Sequence, residues 1–323
     1  APRLARRLGN RRLILFSFSI SALLPPLFGI LPAFGPLVAV TALLGFVTAV
    51  AGVAMNVEAD RIARRSGRPL MAASHGVWSL GFLIATGLSA LAIRAGVTPL
   101  QQFVAISVLV AAGTRAVAYP MADTPPDPAT PGPPRFILPY RATFLVMGYG
   151  LITVVVEVVL RNWAIIILRD SFAAPGWIAA CALPVFIGLQ TAGRFLSDRV
   201  SARIGVVALG RSFCILTAAG LVLLAAAPSV WVALFACAVL GLGISATYPV
   251  TMSAVVAGSD RPATEAVAAF IFLQNILAAA APVIFGAVAQ LTDPRIAVAL
   301  LLPVVALSFA FAQALLKLHP DAD

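Results

Sequence analysis

Charged side chains are scarce in this chain. Asp, Glu, Lys and Arg make up 11% of its 323 residues, against about 25% in a soluble globule. That shortfall excludes a water-soluble fold, because the polar inventory cannot clothe a surface facing water. Cysteine is scarcer still. Cys181, Cys214 and Cys237 stand alone, with no CxxC spacing, so disulfide and metal roles are excluded and small apolar packing is the reading. There is no P-loop, no HExxH, no Ser-His-Asp set and no metal-ligand cluster. An ATP-driven pump or a membrane enzyme therefore lacks its parts, and neither a metal nor a cofactor is expected.

What the chain has instead is apolar length. Hydrophobic residues are 61% of the total and the mean hydropathy is +1.01. A helix needs about 20 mostly apolar residues to cross about 30 Å of hydrocarbon. Ten segments meet that length: 13–33, 36–57, 71–93, 97–119, 143–168, 177–197, 205–227, 230–254, 265–289 and 294–316. The fold class expected is an all-α, polytopic membrane protein.

The net charge of +10 suggests nucleic acid only until its distribution is read. Eighteen of the 22 basic residues fall in alternate gaps between spans or in the span ends that border those gaps, from Arg3, Arg6 and Arg7 through Arg61, Arg64 and Arg65 to Arg261 and Lys317. The opposite gaps hold only Arg94, Arg169 and Arg295, and Arg161 lies within a span. Cytoplasmic loops carry the excess of Lys and Arg. The alternation thus predicts a multi-pass protein of the cytoplasmic membrane with both termini inside, and no nucleic-acid partner. Twenty-one of the basic residues are Arg, a bias that suggests a GC-rich bacterial genome.

Segment 120–139 is rich in Pro and has no apolar period, so it reads as an extended linker. Three domains follow: 1–119, a bundle of four spans; 120–141, a cytoplasmic linker; and 142–323, a bundle of six. Fragments recur across the linker at nearly constant offset. Leu4-Ala5-Arg6-Arg7 pairs with Leu196-Ser197-Asp198-Arg199, Gly67-Arg68-Pro69 with Asp260-Arg261-Pro262, and Gly45 with Gly241. That is the mark of a parallel repeat. In the second half two spans precede the Leu196 segment, and no counterpart precedes Leu4. The repeat therefore predicts that a two-span hairpin is missing from the first half.

The stretch Gly193-Arg194-Phe195-Leu196-Ser197-Asp198-Arg199, followed by Arg203, resembles the cytoplasmic loop signature of the major facilitator superfamily in its second-half copy. Leu4 to Arg12 resembles the tail of the first-half copy, with Arg6 where the family has Asp. Met55-Asn56, His75-Gly76-Val77-Trp78-Ser79 and Glu157 with Arg161-Asn162-Trp163 are similar to the fucose-permease-like branch. The resemblance covers essentially the whole chain, as family spans 3 to 12. It implies two pseudo-symmetric helical bundles, here with 4 and 6 spans. The implied activity is secondary transport of a small solute, a sugar or other metabolite, coupled to protons, by a monomer in the bilayer. A decayed or truncated protein that does not transport, or a scaffold, is the alternative. Two departures matter: Gly52 and Asn162 stand where relatives carry acids, and each removes a proton carrier.

Candidate site residues come from the polar groups inside spans. An acid at a span centre costs about 2.5–3.5 kcal/mol on insertion scales, so it faces a cavity or a partner. Glu157 lies mid-span with Arg161 one turn on; the two are proton-coupling candidates or a fixed ion pair. His75, Trp78 and Ser79 share one helix face and suit a hydroxylated solute, or else bond a neighbouring helix. Asn56, Gln190, Tyr248, Gln274 and Asn275 are further ligand candidates, as is Trp163 through the resemblance. Glu58 is expected to face cytoplasmic water beside Asp60 and Arg61. The resemblance assigns Gly193, Arg194, Asp198, Arg199 and Arg203 to a gating loop. Gly188, Gly193, Gly241 and Gly243 are expected to permit close helix approach, and Pro184, Pro249, Pro282 and Pro303 to kink their spans.

Overall fold

The structure, a computed structural model, describes residues 9–66, 71–121, 141–150, 152–258 and 263–318. Among them there is no strand, and ten helical stretches are long and apolar enough to cross a membrane. The 122–140 part of the Pro-rich linker, the Leu4 segment and both Arg-Pro repeat fragments lie outside the described residues. The chain divides into two compact units, one of Ala1–Phe82 with Leu91–Pro133 and one of Leu83–Ala90 with Pro134–Asp323.

The helices of the first half are α1 (Asn10–Leu23), α2 (Leu27–Ile30), α3 (Phe34–Ser66), α4 (Met71–Arg94) and α5 (Pro99–Ala118). The start of α5 is written in its sequence. Thr98 Oγ1 accepts from the Gln101 amide, Gln101 Oε1 accepts from the Thr98 amide, and Pro99 sits in the first turn. This reciprocal pairing satisfies two of the donors that every helix start exposes. Helix α3 runs nine residues past the span end expected at 57, because Glu58 to Ser66 contains no Gly or Pro to stop it. Leu13 and Ile14 of α1 pack with Val50 and Ala54 of α3 and Ala118 of α5. Outside that core the apolar side chains point away: Leu80, Ile84, Leu88, Leu91 and Leu109 are all more than half exposed, as membrane-facing residues are.

Glu58 corrects an expectation. It is buried rather than turned to water. Asn10 Nδ2 donates to Glu58 Oε2 and to the Ala54 carbonyl, both at 2.9 Å. Arg61 Nη2 meets Glu58 Oε1 at 2.6 Å. An ionised acid tolerates burial when its lone pairs are taken by donors and a cation, and Asn10 and Arg61 supply both. Arg11 donates to the Ala118 carbonyl and lies over the Tyr119 ring, so α1 is tied to α5 as well.

The second half comprises α6 (Arg141–Tyr149), a π-helical stretch (Ile152–Glu157), α7 (Val158–Phe172), α8 (Gly176–Ala180), α9 (Ala182–Ile204), α10 (Val206–Ala226), α11 (Val230–Ile244), α12 (Thr247–Ala257), α13 (Ala263–Leu291), α14 (Pro294–Ala299), α15 (Leu302–Phe311) and a 3₁₀ turn (Ala312–Leu318). Helix α11 packs most extensively, against both α9 and α10. Small residues make the approach possible. A Cβ added at Gly241 would run into the Phe186 carbonyl, one at Gly243 into Thr217, and one at Gly193 into the Ser245 side chain. Gly188 meets only ordinary packing, and Gly45, the repeat partner of Gly241, has nothing within 4 Å.

Three prolines fix where spans break. The breaks fall at Cys181, Ser245–Ala246 and Leu300–Leu301, and Pro184, Pro249 and Pro303 then occupy the first turn of the next helix. Proline lacks the amide that would bond the carbonyl four residues back, but a first turn needs no such donor. At two of the breaks the amide turns to the carbonyl three residues back, Ser245 to Leu242 and Leu301 to Val298, while the Cys181 amide is shared between the carbonyls of Ile178 and Trp177. Pro282 behaves differently and sits inside the unbroken α13.

Candidate functional site

Four of the expected residues come together between α7 and α9. Glu157 is the last residue of the π-helical stretch and is 8% exposed. The wider turn of a π segment appears mostly as a local bulge at functional sites. Arg161 Nη2 meets Glu157 Oε1 at 2.7 Å, the i, i+4 geometry expected. The same guanidinium nitrogen donates to Gln190 Oε1 at 3.4 Å. Gln190 is 1% exposed, and its Nε2 has no hydrogen-bond partner. One turn along α9 from Gln190, Arg194 lies within electrostatic reach of Glu157 and Arg161. Two antiparallel helices thus set Glu157 and Arg161 against Arg194 and Gln190.

Arg194 has a second task. Its Nε donates to the Ser245 carbonyl at 2.9 Å. That carbonyl stands four residues before Pro249, so it is the one Pro249 leaves without its helical donor. Arg194 takes the missing amide's place and fastens α9 to the break between α11 and α12. Sequence reading singled out Arg194 and Pro249 separately and missed their relation. The signal was present, since Pro249 marks the Ser245 carbonyl as an orphan in search of a cation.

The residues expected as a gating loop are helical: Gly193 to Arg203 all lie in α9. Arg199 and Arg203 are exposed near its end. The Asp198 side chain lies outside the described residues, as do those of Asn56 and His75. Trp78 is exposed and stacks on Phe82 with ring centroids 5.7 Å apart. Ser79 is half-buried on the same helix. Trp163 is turned away from the Glu157 pair. Its indole N–H donates to the Pro282 carbonyl at 3.1 Å, and its ring lies over Gly286 and tilts against Phe285. It therefore locks α7 to α13. Tyr248 tilts against Phe270. Gln274 is half-buried and Asn275 exposed on α13.

Two of the arginines that break the charge alternation have local structural partners. Arg169 pairs with Asp170 at 2.6 Å. Arg295 donates to the Ala225 and Ala227 carbonyls at the end of α10 and lies over the Phe172 ring. A cation at a helix C-terminus satisfies free carbonyls and the helix dipole together. Asp170, Phe172, Ala227 and Arg295 line an open cleft of about 680 Å³ with Ser229 and Trp231.

Ten membrane-length helices in two units define a multi-pass membrane protein, and comparison with known proteins agrees. The crystal structure of the E. coli fucose:proton symporter FucP superposes with a TM-score of 0.54, covering 96% of this chain and 85% of that one at 16% identity. An uncharacterised MFS-type transporter of Yersinia pestis is 26% identical over 311 residues, 94% of this chain and 80% of its own length. No family model matches. The chain has the major facilitator fold.

Proposed function

We propose that this protein is a secondary active transporter that moves a small solute across the bacterial inner membrane by alternating access, driven by protons, with both termini cytoplasmic. The observation that carries this reading is the Glu157–Arg161 pair within a membrane-length segment, with Glu157 buried at the end of a π-helical stretch. An acid within a span faces a cavity or a partner rather than lipid, which is where a coupling group has to stand. The likeness to a protein titled a fucose:proton symporter supports the same reading, as does the relative named an MFS-type transporter. In such folds the solute site lies near the bilayer midplane and irregular helices line it, and the broken α11–α12 segment beside Arg194 suits that role.

The working unit is a monomer in the lipid bilayer, organised as 1–119, a linker over 120–141, and 142–323. Proton coupling falls to Glu157, at the end of the π-helical stretch, and Arg161 on α7, and solute contact to Gln190 on α9 and Tyr248 on α12. Asn56, His75, Trp78, Ser79, Trp163, Gln274 and Asn275 are further solute contacts to be tested singly, and Asp198, Arg199 and Arg203 gate the cytoplasmic end.

The test is uptake by proteoliposomes under an imposed pH gradient. Wild type is expected to accumulate solute with the gradient. Glu157→Gln is expected to lose accumulation while keeping exchange of labelled for unlabelled solute, because exchange requires no net proton movement. Unchanged gradient dependence in Glu157→Gln would remove Glu157 from the coupling role. A second reading, a membrane protein that binds a partner without transporting, draws on the outward-facing apolar side chains of α4 and α5. It is selected if neither accumulation nor exchange occurs with any solute of a broad panel.

A further inference from the structure

We infer that the cleft between the ends of α7 and α10 and the starts of α11 and α14 is an outer-face binding site for a neutral sugar, which lies on the Trp231 ring and is held through its hydroxyls by Asp170 and Arg295. The site goes beyond the transport reading. It lies wholly in the second unit, and none of its residues belongs to the Glu157 cluster.

Its place follows from the spans. The segments Phe144–Phe172 and Val206–Ala226 end at the cleft, and Val230–Ala257 and Pro294–Leu315 begin at it. The arginine alternation puts the turns at these ends outside the cell. The volume of about 680 Å³ falls within the roughly 300–1,000 Å³ of small-molecule sites.

The chemistry follows from what each lining group has left to offer. Arg169 donates to both oxygens of Asp170, from Nε at 2.6 Å and from Nη2 at 3.1 Å. A carboxylate has more lone pairs than two donors fill, so Asp170 is held in place with acceptor capacity to spare. Arg295 is held likewise. Its Nε and Nη2 donate to the Ala225 and Ala227 carbonyls, and its guanidinium rests on the Phe172 ring. Its Nη1 donors have no acceptor among the described residues. Trp231 is 63% exposed, and its ring makes no aromatic contact among the described residues.

These leftovers select the ligand. Asp170 is answered by Arg169, and Arg295 by the carbonyl end of α10, so neither group calls for an ion. An apolar ligand would strip water from the spare acceptors and donors and return nothing. A hydroxyl both donates and accepts, so adjacent hydroxyls can meet a carboxylate and a guanidinium together. The C–H face of a sugar ring supplies the apolar surface that an exposed indole lacks.

The experiment is protection of a cysteine at the rim. Pro228→Cys is placed in a Cys181→Ala background, since Cys214 and Cys237 are buried. It is labelled with a membrane-impermeant maleimide in right-side-out vesicles. Fucose, galactose, glucose and mannose are the probes, and tetrahydropyran-2-methanol is the same ring without its ring hydroxyls. At least one sugar is expected to slow labelling, by about twofold where its concentration equals Kd and by more above it. The control ring should not slow it, and Trp231→Ala should abolish the effect. Ala95→Cys, exposed in the outer turn after α4, reports closure of the whole outer face and should label at the same rate with and without sugar. Should Pro228→Cys fail to reach the membrane, Ala226→Cys on the same cleft takes its place. No slowing by any sugar is the result for a Trp that only anchors in lipid headgroups, and it overturns the proposal. So does equal slowing by the control ring, equal slowing at Ala95→Cys, or slowing that survives Trp231→Ala. Failure here is separable from failure of the transport reading. Gradient-driven uptake without protection leaves transport standing and removes the cleft site, and protection without any uptake does the reverse.

Discussion

At the scale of single residues, the pairing of Arg194 with the Ser245 carbonyl shows how a proline on one helix specifies a cation on another. Pro249 removes a backbone donor, and the guanidinium returns one. A charge-assisted bond of this kind contributes about 1.5–3 kcal/mol. Arg194→Ala is therefore expected to destabilise the protein by roughly that amount. Pro249→Ala restores an amide four residues beyond Ser245, so the same Arg194 truncation made in that background should cost about 1 kcal/mol less or better. A double-mutant cycle read by thermal or denaturant unfolding measures the difference, and strict additivity would show that the two residues are not coupled. The Glu58 cluster obeys the same rule from the other side. There a buried carboxylate finds an amide and a guanidinium, and an acid placed next to Asp60 and Arg61 in sequence turns inward because Asn10 is waiting for it.

At the scale of elements, close approach is bought by missing side chains. Gly241→Ala should force α11 off α9, because its Cβ meets a backbone carbonyl that has no rotamer to yield; a loss of about 1–3 kcal/mol is expected. Gly45→Ala, at the repeat-related position in α3, has open space around it and should be neutral or stabilising by up to about 1 kcal/mol. Equal effects at the two sites, compared by unfolding, would contradict this reading of the packing. Sequence and structure agree best at this scale. All ten spans were legible from apolar length, since a run of some 20 apolar residues has few other fates. The i, i+4 pairing of Glu157 and Arg161 was legible for a similar reason, because helical spacing alone places them. The breaks at Cys181, Ser245–Ala246 and Leu300–Leu301 were only half legible: proline marks a disturbance but not whether the helix runs on, as at Pro282, or stops. Least legible were contacts across elements. That Gln190 would meet Arg161, or Trp163 the Pro282 carbonyl, depends on which faces helices turn to one another, and apolar composition on all sides hides that.

At the scale of the whole molecule, charge sets orientation. The alternation of arginines predicts that a fluorescent protein fused after Asp323 fluoresces and that alkaline phosphatase inserted at Gly96, in the turn between α4 and α5, is active. The reverse pattern from the two reporters would contradict a cytoplasmic C-terminus. Arg169 and Arg295 oppose the alternation, and their ties to Asp170 and to the end of α10 account for their retention on the sparsely charged side.

The three proline-marked breaks also decide how the second unit yields to load. An unbroken helix resists bending along its whole length, whereas a chain of rods joined at fixed points concentrates its compliance at the joints. Here the joints are at Cys181, Ser245–Ala246 and Leu300–Leu301, and the middle one is strapped to another helix by Arg194. Deuterium uptake should therefore be faster around Cys181 and Leu301 than in mid-α10, with Ser245 slow until Arg194 is removed. The strap sits on the same side chain that counters the charge of Glu157. A force on that charge is, mechanically, a force on the joint.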